Sequence, residues 1–222
     1  MEELPKINII YEDNHLLVIE KKPNIPVCSD SSKDEDLLSI IKKYLKIKYN
    51  KPGNVYVGMV HRLDRPVGGI MVFAKTSKAA SRLSAQIKEH KFEKIYYAVL
   101  EGKAKKSDTL IDYLEKDKRK NISFVTDENH GKFSRLKYDL IGYKDGVSLV
   151  KIKLDTGRSH QIRVQFASRG LALVGDCKYN INGKRAKNIA LFAKKLTFYH
   201  PISKEKLSFE LNIPKRYPFN LF

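Results

Sequence analysis

The sequence predicts an α+β protein built on a mainly antiparallel β-sheet, and three observations support this prediction. Short apolar segments typical of strands outnumber helical segments, and most are separated by Gly, Asn or Asp turns such as 144–146, KDG. The regular alternation of strands with helices that indicates a parallel sheet is absent. No GxGxxG or Walker loop occurs. The 222 residues, 42% of them hydrophobic, suit one folded domain spanning residues 1–222.

The first part of the chain is predicted to contain a hairpin, two helices and a buried strand. Asp36 and Ser77 are the expected N-caps, because each offers a side-chain oxygen just ahead of a segment with helical apolar periodicity. The predicted bounds are 7–11 and 15–19 for the hairpin strands, 36–46 and 77–89 for the helices and 70–74 for the buried strand.

The second part is predicted to be mostly strands with one helix. The predicted strands are 96–100, 122–125, 133–140, 147–154, 188–198 and 207–211. The helix is expected over 159–169, opening after Gly157 with Ser159 as its cap. Arg163 lies one helical turn after Ser159, so both are expected to point outward on one face.

The charge of the chain indicates a polyanionic partner. Lys and Arg number 43 against 25 Asp and Glu, which gives a formal charge of +18. Nucleic acid is the first expectation and an anionic membrane the second, with a lysine-rich composition without a partner as the alternative. The basic residues are spread along the whole chain, which favours a folded domain with a basic face over a disordered arm.

Several classes of site are excluded by the motifs. The two cysteines form no CxxC, and no HExxH, zinc-deaminase or GxSxG signature occurs. No pair of carboxylates is placed for glycosidase chemistry. We therefore predict no metal and no cofactor. No apolar run approaches transmembrane length, so we expect a soluble cytoplasmic protein, and a monomer because no long apolar stripe is evident.

The segment 61–70, HRLDRPVGGI, places one acid, Asp64, among cations and then bends the backbone. Pro66 fixes φ, and the two glycines after it permit conformations closed to other residues. Arg62 and Arg65 are expected to keep Asp64 ionised, as a carboxylate nucleophile or general base requires. The alternative is a loop acid that only forms an ion pair with one of these arginines. The turn next to a strand favours presentation of the carboxylate to a ligand.

The segment 156–163, TGRSHQIR, offers the next candidates. Arg163 near a helix start is a possible cationic site residue, and a capped surface helix with solvated cations is the alternative. His160 could act as a base, although a histidine satisfied at the helix start is the simpler interpretation.

The segment 93–102, EKIYYAVLEG, places two tyrosines next to each other. Strand alternation puts Tyr96 and Tyr97 on opposite faces, so one is expected in the core and the other could stack on a nucleobase. The alternative is that both tyrosines pack in the interior.

In their order and spacing these segments resemble the RluA-type pseudouridine synthases, which isomerise uridine in structured RNA. The resemblance covers most of the chain and is carried by segments 10–23, IYEDNHLLVIEKKP; 61–64, HRLD; 73–76, FAKT; 94–96, KIY; 156–163, TGRSHQIR; and 175–179, GDCKY. It implies that family's fold, in which a mainly antiparallel, mixed β-sheet with flanking helices surrounds a central RNA-binding cleft.

The resemblance also implies roles for individual residues. Asp64 matches the catalytic aspartate, Tyr96 the active-site tyrosine that packs on the target base, and Arg163 the arginine that pairs with the aspartate. The residues implied in substrate binding are Arg62, which helps to fill the space left by the extruded base, together with His61, Arg158 and His160. The implied partner is structured ribosomal or transfer RNA, and the isomerisation needs neither cofactor nor metal.

The sequence departs from the family pattern in places. Val67-Gly68-Gly69 stands where many members have Thr-Ser-Gly, and Asn180 stands where many have Gly. No S4-like domain is expected ahead of the catalytic motifs, so recognition would depend on the catalytic domain and its charge. Attack on the sugar and addition to uracil C6 both remain open for Asp64.

Two other functions compete with this interpretation. A non-catalytic RNA-binding or ribosome-assembly protein of the same fold would have no need of Asp64, Tyr96 and Arg163 together. A basic nucleic-acid hydrolase would need a metal-binding carboxylate cluster, which the sequence does not provide.

Overall fold

The computed structural model of the chain describes residues 3–30, 32–180, 182–184 and 186–222. They form two compact units. The first comprises the described residues of Met1–Phe92 together with Lys195–Leu211, and the second those of Glu93–Lys194 together with Asn212–Phe222. The prediction of one domain spanning residues 1–222 stays a prediction.

Strands predominate in the order of elements along the chain. The elements are β1 Asn8–Glu12, β2 Leu16–Lys21, α1 Leu37–Lys48, β3 Gly58–Met59, β4 Gly68–Ala74, α2 Ser77–Lys88, β5 Glu93–Glu101, β6 Ser107–Asp117, β7 Ile122–Thr126, β8 Lys132–Lys144, β9 Val147–Leu154, α3 Gln161–Ala167, β10 Leu191–Tyr199, β11 Lys206–Glu210 and a final 3₁₀ turn, Phe219–Leu221.

The first unit carries β1, β2 and β4 in that order, followed by the part of β10 from Lys195 onward. β2 pairs antiparallel with both β1 and β4, and β11 pairs antiparallel with β10. Alternate residues of β2 and β4, including Val18 and Val72, point to one face and pack against Leu83 of α2 in a buried cluster. This packing fixes the end of β4 at which Asp64 is presented.

The second unit contains antiparallel strands in the order β5–β9–β8–β6–β7. β8 and β9 are joined at Asp145 and Gly146, which both adopt positive φ, at 52° and 76°. This conformation is the one that a tight two-residue hairpin turn requires. The ring of Tyr138 on β8 packs 5.1 Å from Phe166 of α3, so α3 covers one face of this sheet.

The α+β prediction with a mainly antiparallel sheet is confirmed, and most predicted elements are present. β9 has the predicted bounds, and Asp36 caps α1 by accepting a hydrogen bond from Ser39 N at 3.1 Å. Some details were wrong. Thr76, one residue earlier than predicted, caps α2, and β3 and β6 were not predicted at all.

The third helix also differs from the prediction. It spans Gln161–Ala167, and the residue before it, His160, adopts a left-handed conformation with no side-chain cap, so Ser159 is not the cap. Arg163 is only 4% exposed, because the short helix turns that side chain inward instead of toward solvent. None of the helices in the described ranges is long and apolar enough to span a membrane.

Candidate active site

The Asp64 loop is a tight turn held between two buried side chains. Val67 N donates to Asp64 O at 2.9 Å, which closes the turn, and Leu63 and Val67 are 5% and 2% exposed. A side chain at Gly68 would be crowded, since a Cβ there would lie 3.0 Å from Cδ of Pro23. Buried anchors on both sides therefore fix the backbone of Asp64 while its side chain stays half-buried.

Lys21, at the end of β2, binds this turn from inside the first unit. Its side chain is 1% exposed, and its ammonium donates to Val67 O at 2.7 Å, Arg65 O at 2.9 Å and Lys22 O at 3.2 Å. Burial lowers the pKa of Lys21 to about 8, although the negative charge of Asp64 acts in the opposite direction. Sequence reasoning missed this residue, because a lysine in a basic chain is normally exposed.

The two arginines that flank Asp64 in sequence differ in their surroundings. Arg65 directs its guanidinium to Asp34 and, at 3.2 Å, to Asp30. Arg62 is exposed. The expectation that these arginines keep Asp64 ionised stays a prediction.

His61 supports the backbone of the neighbouring strand. Its Nε2 accepts a hydrogen bond from Val72 N of β4 at 3.1 Å, and its ring lies edge-on to Phe92 at 5.4 Å. An Nε2 that accepts from a backbone amide carries no proton, so the neutral imidazole with the proton on Nδ1 is the tautomer that fits. The substrate-binding role of His61 stays a prediction.

Tyr96 lies on the α3-covered face of the second unit. It pairs in register with Ile152 of β9, and Ile152 pairs with Tyr138, which packs on α3. Tyr96 is 7% exposed and Tyr97 is half-buried on the opposite face. Alternation therefore separated the two tyrosines as predicted.

Arg163 is held by a buried acid of its own unit. Its Nε donates to Oδ2 of Asp176 at 2.8 Å and its Nη2 to Oδ1 at 2.7 Å, and Asp176 is 1% exposed. The guanidinium carbon also lies 5.1 Å from the ring centre of Tyr179. A bidentate buried pair fixes the guanidinium plane. The pairing of Arg163 with Asp64 stays a prediction.

Asp176 had no role in the sequence analysis, although the segment 175–179 contains it. Its Oδ1 also accepts from Lys178 N at 3.0 Å, so the acid is oriented by its own loop. Gly175 before it has a φ of +74°, and a Cβ there would lie 2.9 Å from Asn188 O. The glycine in front of this aspartate was the available signal, because it indicates a backbone position that only glycine tolerates.

The other two predicted binding residues differ in exposure. His160 is 8% exposed, and its Nδ1 makes a 2.8 Å hydrogen bond with the hydroxyl of Tyr179. Arg158 is exposed, and its Nε donates to Phe133 O at 3.0 Å. The structure thus joins His160 and Arg163 through Tyr179, while Arg158 remains at the surface.

In the part of the chain that the structure describes, no group of three or more His, Cys, Asp or Glu side chains is placed to hold a metal ion. The predicted catalytic residues are divided between the two units. Asp64 belongs to the first unit, and Tyr96 and Arg163 belong to the second.

Comparison with known proteins gives one consistent family for the chain. A family model described as RNA pseudouridylate synthase matches residues 15–168. The chain is 34% identical to an uncharacterized RNA pseudouridine synthase of Aquifex aeolicus over an alignment of 232 positions, which covers 97% of this chain and 72% of that protein. It is 30% identical to the ribosomal large subunit pseudouridine synthase D of Zymomonas mobilis over an alignment of 227 positions, which covers 96% of this chain and 71% of that protein.

Two solved human structures share the fold. The RNA pseudouridylate synthase domain containing 4 protein gives a TM-score of 0.79 at 17% identity, covering 96% of this chain and 91% of that one. The RNA pseudouridylate synthase domain containing 1 protein gives a TM-score of 0.75 at 23% identity, covering 97% of this chain and 87% of that one. The predicted pseudouridine synthase fold is therefore confirmed. The chain belongs to the RNA pseudouridylate synthase family, and it is an isomerase that acts on RNA.

Proposed function

We propose that the chain converts uridine to pseudouridine in structured ribosomal or transfer RNA, with Asp64 as the nucleophile. The observation that carries the proposal is the Asp64 turn, which Lys21 holds through the carbonyls of Arg65 and Val67. A carboxylate on a rigid turn is suited to repeated attack at one geometry. The name of the Zymomonas mobilis relative makes large-subunit ribosomal RNA the first RNA to test.

The proposed reaction balances without an added reactant. The N1–C1′ bond of uridine breaks, the uracil rotates while bound, and C5 forms a bond to C1′. C5 then loses its proton and N1 gains one. Asp64 adds either to C1′ of the sugar or to C6 of the uracil, and leaves again in the last step.

The other site residues support this reaction in the proposal. Tyr96 stacks on the uracil, because a nucleobase offers a π face to an aromatic ring. Arg163 pairs with Asp64 and favours its ionised form, as an adjacent cation does. The rigid hold of Asp176 on Arg163 supports this role, since an oriented guanidinium loses little freedom on binding a second carboxylate.

Base flipping is a further part of the proposal. A uridine in folded RNA is stacked, and extruding it costs about 3 kcal/mol. Arg62, which is exposed on the Asp64 loop, would enter the vacated space. The charge of +18 would bind phosphates and supply affinity that does not depend on sequence. Arg158 and His160 are proposed to contact the RNA near the target, and a monomer remains the expected state.

The test is tritium release from RNA labelled at uridine C5, taken from a strain that lacks this gene. Wild-type protein should release tritium, and Asp64→Asn should not, while its RNA affinity stays within a few-fold. Asp145→Asn is the matched control, because Asp145 is exposed in a positive-φ turn that asparagine also tolerates. Substantial release by Asp64→Asn would contradict the nucleophile assignment, and fractionation of the RNA would identify the target.

A further inference from the structure

Lys94 is a half-buried cation that the proposed mechanism does not use. It lies two residues before Tyr96 on β5, so both side chains leave the strand on the same face. Burial lowers the pKa of Lys94, and no neighbouring acid acts against that effect. Within the described ranges no carboxylate, carbonyl or hydroxyl accepts a hydrogen bond from its ammonium.

The ammonium of Lys94 reaches the loop that leads into α3. A Cβ at Gly157 would lie 3.2 Å from Nζ, so the absence of a side chain at Gly157 leaves room for the cation. The acid nearest in sequence to Gly157, Asp155, is bound by Nε of Arg135 at 2.7 Å, and Glu93, next to Lys94 on β5, lies 3.9 Å from Nζ of Lys153. The adjacent Arg158 is exposed and adds a second positive charge at this loop. The loop that leads into α3 therefore has two cations, Lys94 and Arg158, while these two acids are paired with other cations.

A half-buried ammonium without a counter-charge is unfavourable in the unliganded protein, because the desolvation of the cation is not offset. Such a group becomes favourable when a ligand supplies the anion. RNA supplies one at every nucleotide as the phosphodiester, and lysine binds phosphate oxygens as a point charge.

We propose that Lys94 binds a phosphodiester oxygen of the RNA backbone next to the nucleotide that Tyr96 contacts. Successive same-face residues on a strand are about 7 Å apart, so base and backbone of neighbouring nucleotides can be contacted from the one strand. The position of the target base in this inference rests on the proposed function. The choice of RNA as the ligand rests on the family's action on RNA.

The experiment measures the binding of an unmodified transcript of large-subunit ribosomal RNA over a range of salt concentrations. Lys94→Gln and Lys94→Arg are compared in an Asp64→Asn background, so that turnover does not change the RNA. Lys151→Gln is the matched control, because Lys151 is an exposed lysine on the neighbouring strand β9 and projects from the opposite face, level with Tyr97.

Lys94→Gln should weaken binding about tenfold and lower the slope of log K against log salt by about 0.7–1, as the loss of one phosphate contact does. Lys94→Arg should restore both values, and Lys151→Gln should change them less. An unchanged slope in Lys94→Gln, or an equal change in Lys151→Gln, would overturn the proposal. Lys94→Met replaces Lys94→Gln if the latter unfolds on heating before the wild type does.

A second readout distinguishes phosphate binding from proton transfer. In the enzyme that retains Asp64, Lys94→Gln should raise KM more than it lowers kcat, and Lys94→Arg should recover activity. Loss of kcat that arginine does not recover would assign Lys94 to proton transfer and contradict a phosphate contact. The salt dependence is measured on binding alone, so it can succeed or fail independently of the tritium assay for Asp64.

Discussion

Replacing Lys21 by methionine should impair catalysis far more than folding. Methionine keeps much of the buried length but removes the donor to Val67 O, Arg65 O and Lys22 O. The turn that carries Asp64 then loses its internal restraint, and a displacement of about 1 Å at a reacting group can lower the rate about 100-fold. We expect a loss of that order in kcat for pseudouridine formation.

The lowered pKa of Lys21 also makes the stability of the folded protein depend on pH. The pKa of Lys21 is about 8 in the folded protein and 10.5 as its ordinary value. Between these values the unfolded chain holds a proton that the folded protein has lost, so the stability of the wild type rises with pH there. From about pH 7 to about pH 10 the stability of wild type relative to Lys21→Met should rise by roughly 2–3 kcal/mol.

Two measurements test this reasoning. Urea unfolding of both proteins at the two pH values gives the stability difference, and single-turnover rates give the catalytic loss. Lys22→Met is the matched control, because the side chain of Lys22 is exposed and only its backbone carbonyl binds Lys21. A Lys21→Met enzyme with wild-type kcat, or a stability difference that is flat with pH, would refute the argument.

Three further outcomes are expected. Asp176→Asn should destabilise the protein by about 3–5 kcal/mol in urea unfolding, because it leaves the buried charge of Arg163 uncompensated. Asp36→Ala should cost about 1 kcal/mol through loss of the α1 cap and leave tritium release unchanged. Burial alone would raise the pKa of Glu12, but hydrogen bonds from Lys48 and Lys75 lower it to about 2 from its usual 4.5. The wild type should therefore lose up to about 3 kcal/mol as the pH falls from about 5 to about 2, and Glu12→Gln should not show this loss.

Features with a local cause were predictable from sequence. Asp36 caps α1 because its side chain and the amide of Ser39 are three residues apart, and the turn at Asp145 and Gly146 needs only residues that tolerate positive φ. The order of the motifs along the chain was sufficient to predict the family. These features depend on contacts within a few residues, which the sequence displays directly.

Features with a distant cause were not predictable. β6 carries many charged residues, and its strand character depends on pairing with β8, where Ser107 lies opposite Asp139. Alternation along β6 is visible only once Leu110 and Leu114 are known to be buried. The burial of Lys21 likewise depends on carbonyls 44 and 46 residues away.

The cations Arg163, Lys21 and Lys94 differ in what neutralises them, and this difference indicates their roles. Arg163 has a buried carboxylate, so its charge is compensated before RNA arrives and its position is fixed. Lys21 has carbonyl dipoles, which hold it against the turn that carries Asp64. Lys94 has neither. A cation with a full partner serves geometry, one held by backbone carbonyls restrains the backbone that it binds, and one without either is suited to an anion that comes with the substrate. RNA binding should therefore raise the pKa of Lys94 and leave the Arg163–Asp176 pair unchanged, which NMR of the lysine ammonium and arginine guanidinium groups, with and without RNA, would measure.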